Sequence, residues 1–253
     1  MGINSVKKMM STIQESPIAM ISLERVHRAL HMQYPDRIPL VFCGETERSD
    51  IINVGYAPPA DWAPPLPGMD EWGRRWANIS GTGLGQIIAE PLAAPSLDGY
   101  RFPDPNLASR YTDLTETITH YPDRYIAASL GLSGFTCMMG LRGFENLMCD
   151  FYQEPEFIEY LADAVFRFEA AVIHEYARRG VHGIWLYDDL GTEEGPMISP
   201  TLFHQVFAPR YAAQARLVHS FGMDYLLHSC GNVWALIPDL VDIGLICSTW
   251  NNR

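Results

Sequence analysis

Gly183-Ile184-Trp185-Leu186-Tyr187-Asp188-Asp189 and, one helix further along, Asp224-Tyr225-Leu226-Leu227-His228-Ser229-Cys230-Gly231 share one build: a short apolar run that stops on polar, chemistry-bearing side chains. Each run reads as a buried strand. Between them Ser199-Pro200 opens a helix lasting to about Ser220, and before them Pro155, a favoured first-turn residue, opens the clearest helix of the chain, ending at Gly180. In that helix Phe157, Leu161, Ala164, Val165, Phe168 and Val172 fall on one face, and Arg178 and Arg179 suit the negative end of the helix dipole. Tyr125 to Leu130 reads as an earlier strand, followed by a helix near Leu141 to Asp150. Val233 to Val241 reads as a later helix, with another strand beginning at Gly244. The alternation of strand and helix from Tyr125 onward predicts a parallel α/β fold. An open doubly wound sheet and a (β/α)8 barrel both fit, but no G-x-G-x-x-G follows the first strand, which counts against a dinucleotide fold.

The N-terminal half is less regular. Ser22 is read as the N-cap of a helix to about Met32 with Val26, Ala29 and Leu30 as its apolar stripe. Pro35-Asp36-Arg37 breaks the chain, and Ile38 to Phe42 reads as a buried strand leading to Cys43 and Glu45. Glycine-joined strand-like pieces follow at Asp70 to Gly73, Trp76 to Ile79 and Gln86 to Ala89. Residues 1–20 are expected to be a flexible leader and residues 21–253 a single domain. Cys43, Glu45, Asp188, Asp189, His228 and Cys230 all come out at expected strand ends, where a barrel places its active site.

Bulk composition narrows the partners. A net charge of -12 argues against nucleic acid. No apolar run approaches the roughly 20 residues of a membrane span, and the first residues lack the apolar core of a secretory signal. Five cysteines, odd in number and widely spaced, do not make a disulfide framework, so a reducing cytoplasm is expected.

His228 and Cys230 lie two apart at a strand end and so share a face, and imidazole and thiolate are ligands that zinc prefers. A satisfied histidine beside an inert thiol is the alternative from spacing alone. Two ligands do not complete a site. Cys43 and Glu45 are candidates to help, although Cys43 also fits as core and Glu45 as a polar wall. Asp188 and Asp189 are adjacent and point oppositely, so one is expected to face the pocket, orienting substrate or moving a proton, and the other to pair locally. Glu45, Asp188 and Asp189 are the candidate catalytic groups. Trp72, Trp76 and Trp185 read as core, Cys137, Cys149, Met138 and Met139 as packing, Thr192 and Glu193 as a solvated loop, and Asn232 as serving a turn.

The chain resembles the uroporphyrinogen decarboxylase superfamily. The matching pieces are S-L-E-R-V-H-R-A-L from Ser22 with P-D-R-I-P-L from Pro35, D-E-W-G-R-R-W from Asp70, G-L-R-G-F-E-N-L-M from Gly140, Y-D-D-L-G-T-E-E-G-P-M-I-S-P from Tyr187, and H-S-C-G-N-V from His228 with I-P-D-L-V-D-I-G-L from Ile237. The resemblance implies a (β/α)8 barrel with its site at the C-terminal rim. True decarboxylases of the superfamily carry an arginine-rich segment after the first strand to hold the carboxylates of the porphyrinogen. Here the stretch is C-G-E-T-E-R-S-D, with Arg48 against Glu45, Glu47 and Asp50, and an acidic rim repels such a substrate. The resemblance therefore favours the methyltransferase-like branch, some of whose members hold zinc on His-x-Cys and a much later Cys; it implies a small molecule as methyl donor or acceptor and a corrinoid on a partner protein that carries the methyl group. A cofactor-free decarboxylase, with Asp188 or Asp189 assisting protonation, is the alternative. The later Cys has no counterpart. Relatives continue after Gly244 with an Asp, an apolar pair, Asn and Gln-Pro, and with suitably chosen codons a one-base change of frame would restore such a continuation. The expectation is a barrel with about six of its eight strands, in a chain with little or no activity of its own.

Overall fold

The computed structural model describes residues 20–42, 45–78 and 85–250. The chain divides into two compact units. One holds the described residues up to Ile51 together with Asp123–Tyr125, and the other holds Ile52–Pro122 and the described residues from Ile126 onward.

The larger unit is built on a five-stranded sheet in the order β1-β4-β5-β6-β7, with β1 at Ile51–Gly55, β4 at Tyr125–Leu132, β5 at Gly183–Tyr187, β6 at Asp224–Cys230 and β7 at Ile246–Trp250. From β4 to β7 every pairing is parallel, with Ser129 beside Trp185, Tyr187 beside His228, and His228 beside Ser248. Parallel neighbours need long crossovers, and helices supply them. Between β4 and β5 run α3 (Gly134–Arg142), α4 (Phe144–Gln153) and α5 (Pro155–Arg179). Between β5 and β6 lie α6 (Pro200–Leu202) and α7 (Ala208–Ser220), and α8 (Ile237–Ile243) precedes β7. The described residues thus hold four parallel strands, β4 to β7, with β1 beside β4, as in an incomplete (β/α)8-type barrel. The other two strands, β2 (Arg75–Ala77) and β3 (Gln86–Ala89), form a separate antiparallel hairpin, and α2 (Thr112–His120) precedes β4.

Strand alternation decides what the sheet buries. Ile184, Leu186, Tyr225 and Leu227 point to the helix-covered face and are almost completely buried. Trp185, Tyr187, His228 and Cys230 take the opposite face and are half-buried. The helix α5 follows its sequence closely. Proline stands in its first turn, Phe157, Leu161, Val165, Phe168 and Val172 are buried, and Gly180 ends it with φ of 80°, a conformation that a side chain resists. Burial of such side chains stabilises by about 1.5–3 kcal/mol each.

Four readings of the sequence are corrected. Ile38 to Phe42 is not a strand. Pro39 lacks the N–H a central strand needs, and Ile38, Leu40 and Val41 are exposed. The segment is instead held by single bonds, Leu40 N to Asp50 Oδ2 at 2.8 Å and Phe42 N to Ser49 Oγ at 2.9 Å. Asp70 to Gly73 forms a turn gathered by Asp70, whose Oδ1 accepts from Trp72 N and Arg74 N. The helix expected from Leu141 is two helices parted at Gly143, where φ is 82°. Ser22 does not cap its helix, α1 (Ser22–Leu30). Ile21 is the N-cap, and the Ser22 hydroxyl donates to Asp50 Oδ1 at 2.7 Å.

Candidate metal centre

Strands β5 and β6 run side by side, so their C-terminal ends bring three ligand types together. His228 and Cys230 project from the same face of β6, and Cys230 Sγ lies 3.4 Å from His228 Nε2. The residue after the end of β5 on that face is Asp189. Its Oδ1 is 3.8 Å from His228 Nε2 and accepts from Cys230 N at 2.8 Å. One ligand atom from each of the three lies within 4.8 Å of the other two. A tetrahedral zinc ion with bonds of about 2.0–2.3 Å keeps its ligand atoms roughly 3.4–3.6 Å apart. The donor set and spacing fit such an ion, and Asp189 offers the third ligand atom beside His228 and Cys230. The thiol of Cys230 is pushed above its ordinary value by burial and by the Asp189 carboxylate, so without a metal it keeps its proton.

The adjacent aspartates divide as their alternation demands. Asp189 is partly exposed on the face that carries His228 and Cys230. Asp188 is fully buried on the helix side, where its carboxylate accepts from Phe135 N (3.0 Å), Thr136 N and Thr136 Oγ1 (both 2.7 Å), and the Tyr211 hydroxyl. Burial raises its carboxyl to about 6 although those donors favour the charged form. Asp188 therefore holds the start of α3, and Asp189 is the one of the two that shares a face with His228 and Cys230. Gly134 N, the first donor of that helix, goes to Glu169 Oε1 at 2.9 Å. Gly134 must be glycine, since a Cβ there falls on the Tyr211 hydroxyl and Asp188. The helix start, elsewhere a ready anion site, is closed by the protein's own carboxylates.

Backbone contact sets the spacing of the two strand ends. Gly231 has φ of 79°, and a Cβ on it lands on the Gly191 carbonyl group. A Cβ on Gly191 meets Asn232 N at 2.7 Å and Cys230 O at 2.9 Å. The glycine after Cys230 thus admits a second stretch of backbone. The turn is completed by Asn232, which accepts from Trp234 N and donates to Glu194 O.

Glu45 belongs to the smaller unit. It is exposed, pairs with Arg48 at 2.6 Å, and follows no strand. Cys43 lies outside the described residues. Thr136, Tyr211 and Glu169 were not singled out in the sequence. No motif marks them, because their roles come from elements far apart in the chain. Tyr211 reaches Asp188 from a helix that passes through a π-turn at Phe203–Phe207.

Glu169 yields a pH prediction. It is buried, bonded to Gly134 N and Gln214 Nε2, and burial raises its carboxyl from 4.5 to about 8. The folded protein therefore keeps a proton that the unfolded chain releases between about pH 4.5 and 8. Stability should fall as pH rises through that window, by up to about 1.4 kcal/mol per pH unit. Urea titrations across pH 5–8 should show a shallower fall in Glu169→Gln, and identical slopes in both proteins count against this origin.

The observations define a parallel α/β protein with a His, Cys and Asp cluster at its strand ends. The chain belongs to the uroporphyrinogen decarboxylase (URO-D) family, whose family model matches residues 85–252. Its fold is that of a methyltransferase from Methanosarcina mazei, with a TM-score of 0.68 at 16% sequence identity over 89% of this chain and 74% of that one. No curated protein matches the chain in sequence. Among the described residues no helix is long and apolar enough to cross a membrane.

Proposed function

We propose that this protein is a methyltransferase of the URO-D family that holds zinc through Asp189, His228 and Cys230 and exchanges a methyl group between a small molecule and a corrinoid carried by a partner protein. The observation that carries the reading is the convergence of three ligand atoms of zinc-preferred type at neighbouring strand ends. Zinc on these ligands would supply Lewis-acid chemistry, polarising the heteroatom of a methyl donor or lowering the pKa of an acceptor thiol. The chain's own residues set the geometry. Cys230 N holds the Asp189 carboxylate beside the thiol, and the Gly191–Gly231 contact holds the two strand ends together.

The likeness to a methyltransferase supports the same reading. So does the charge of the stretch 45–50, whose one cation, Arg48, pairs with Glu45 and whose Asp50 is buried against Arg25 and Arg37. The decarboxylase alternative retains only Asp189 of its two proposed proton-handling aspartates.

The test is titration of the full chain with zinc and with cobalt(II), followed by methyl transfer from a methylated corrinoid or a methoxylated substrate with and without chelator. Asp189→Ala, His228→Ala and Cys230→Ser should each lose more affinity than the roughly 10–100-fold that removal of an outer-shell partner costs. Stoichiometric zinc that survives Cys230→Ser, or a wild-type chain that binds none, rejects the proposal.

A further inference from the structure

We infer that Thr136, backed by Asp188 and Tyr211, is a positioning residue that fixes the Asp189 ligand at the metal pocket. The inference rests on the metal reading above and assigns work to residues that touch neither metal nor substrate. Three consecutive amides carry Asp189 past the end of β5. Asp188 N donates to His228 O at 3.0 Å and Leu190 N to Ser229 Oγ at 2.9 Å, both on β6. The middle amide, Asp189 N, turns the other way and donates to Thr136 Oγ1 at 2.8 Å.

A hydroxyl has one proton and two lone pairs. The Thr136 proton is committed to Asp188 Oδ1 at 2.7 Å, so a lone pair is left aimed at Asp189 N. Asp188 is itself immobilised, because Thr136 N takes the same oxygen while Phe135 N and the Tyr211 hydroxyl take the other. The order of restraint is therefore Tyr211 to Asp188, Asp188 to Thr136, and Thr136 to the Asp189 backbone. Cys230 N restrains the carboxylate end of the same residue. Ligand affinity depends on such outer partners because each fixes one orientation of the ligand before the ion arrives.

Thr136→Val keeps the shape of the side chain and removes the hydroxyl. It should weaken cobalt(II) and zinc binding by about 10–100-fold and alter the visible absorption of the cobalt-loaded protein. Thr136→Ser restores the hydroxyl and should return both to near wild type. Tyr225→Phe is the control for stability loss alone. It deletes the buried hydrogen bond to Gln214 without touching Asp188 or Asp189, and should leave metal affinity unchanged. If the valine variant does not fold, Thr136→Ala and Tyr211→Phe carry the same expectation in weaker form. Unchanged affinity and spectrum in the Thr136 variants, with wild-type binding intact, overturns this inference and leaves the metal reading standing. A wild-type chain that binds neither ion overturns both.

Discussion

Gly231→Ala should destabilise the protein by about 2–5 kcal/mol and weaken zinc binding at least tenfold. Two costs combine at this one position. A φ of 79° is left-handed, which costs a residue with a Cβ about 1–2 kcal/mol. The new methyl also lands on the Gly191 backbone, and overpacking of this kind adds about 1–3 kcal/mol. The only relief is to part the two strand ends, and that movement carries Cys230 away from Asp189. Gly191→Ala meets the same contact from the other side without a positive φ, so its cost should be smaller. The double variant should cost less than the two single changes added, since one separation relieves both clashes. Denaturant midpoints and cobalt(II) titrations measure the two effects. A Gly231→Ala protein within 0.5 kcal/mol of wild type, on the order of an ordinary surface change, with unaltered metal affinity would show that the strand ends are not clamped by this contact.

The sequence made the glycine after Cys230 visible but not the reason for it. The group that approaches it is backbone from the neighbouring crossover. The same limit recurs elsewhere. Strands β5 and β6 and helix α5 were legible because apolar runs, a first-turn proline and a terminal glycine are local signals. β1 was missed because the apolar run Ile38 to Phe42 drew attention from Ile51–Gly55, although Pro39 already argued against the earlier choice. A third ligand was sought in a late cysteine, Cys43 or Glu45, whereas the side chain that the structure brings beside His228 and Cys230 is Asp189, which the sequence had marked as a catalytic candidate. The choice between Asp188 and Asp189 depends on the pairing of Tyr187 with His228, a register that no single-strand pattern contains. The π-turn before α7 has no composition of its own, and its consequence is a tertiary contact between Tyr211 and Asp188.

The smaller unit shows a set of motif residues converging on one carboxylate, and Asp50→Ala should cost about 3–5 kcal/mol. Ser22 Oγ donates to Asp50 Oδ1 at 2.7 Å, Arg25 Nη1 to Oδ1 at 2.7 Å, Arg37 Nη1 to Oδ2 at 2.6 Å, and Leu40 N to Oδ2 at 2.8 Å. The S-L-E-R and P-D-R-I-P-L pieces thus share a common partner. Asp50 is fully buried and the Arg25 side chain nearly so, whereas Arg37 is half exposed and recovers water when its partner goes. The loss therefore falls mainly on Arg25, left with Asp36 at 2.6 Å and the Met20 carbonyl, and on the Leu40 amide and Ser22 hydroxyl. Burial alone raises the Asp50 carboxyl, but the bonds from Arg37, Leu40 N, Ser22 and Arg25 outweigh it and hold the carboxyl well below the ordinary carboxylate range. A depressed folded value means that the stabilisation is fully present above the unfolded value of about 3.9 and fades as pH falls through the acid range. Asp50→Asn keeps one acceptor oxygen and the side-chain shape. It should lose part of the stability and flatten this acid dependence. Hydrogen exchange of the α1 amides reads the unit directly, and faster exchange in both variants at pH 7 is the expected result. Wild-type exchange rates in Asp50→Ala would mean that apolar contacts around Val26, and not the shared carboxylate, hold α1 in place.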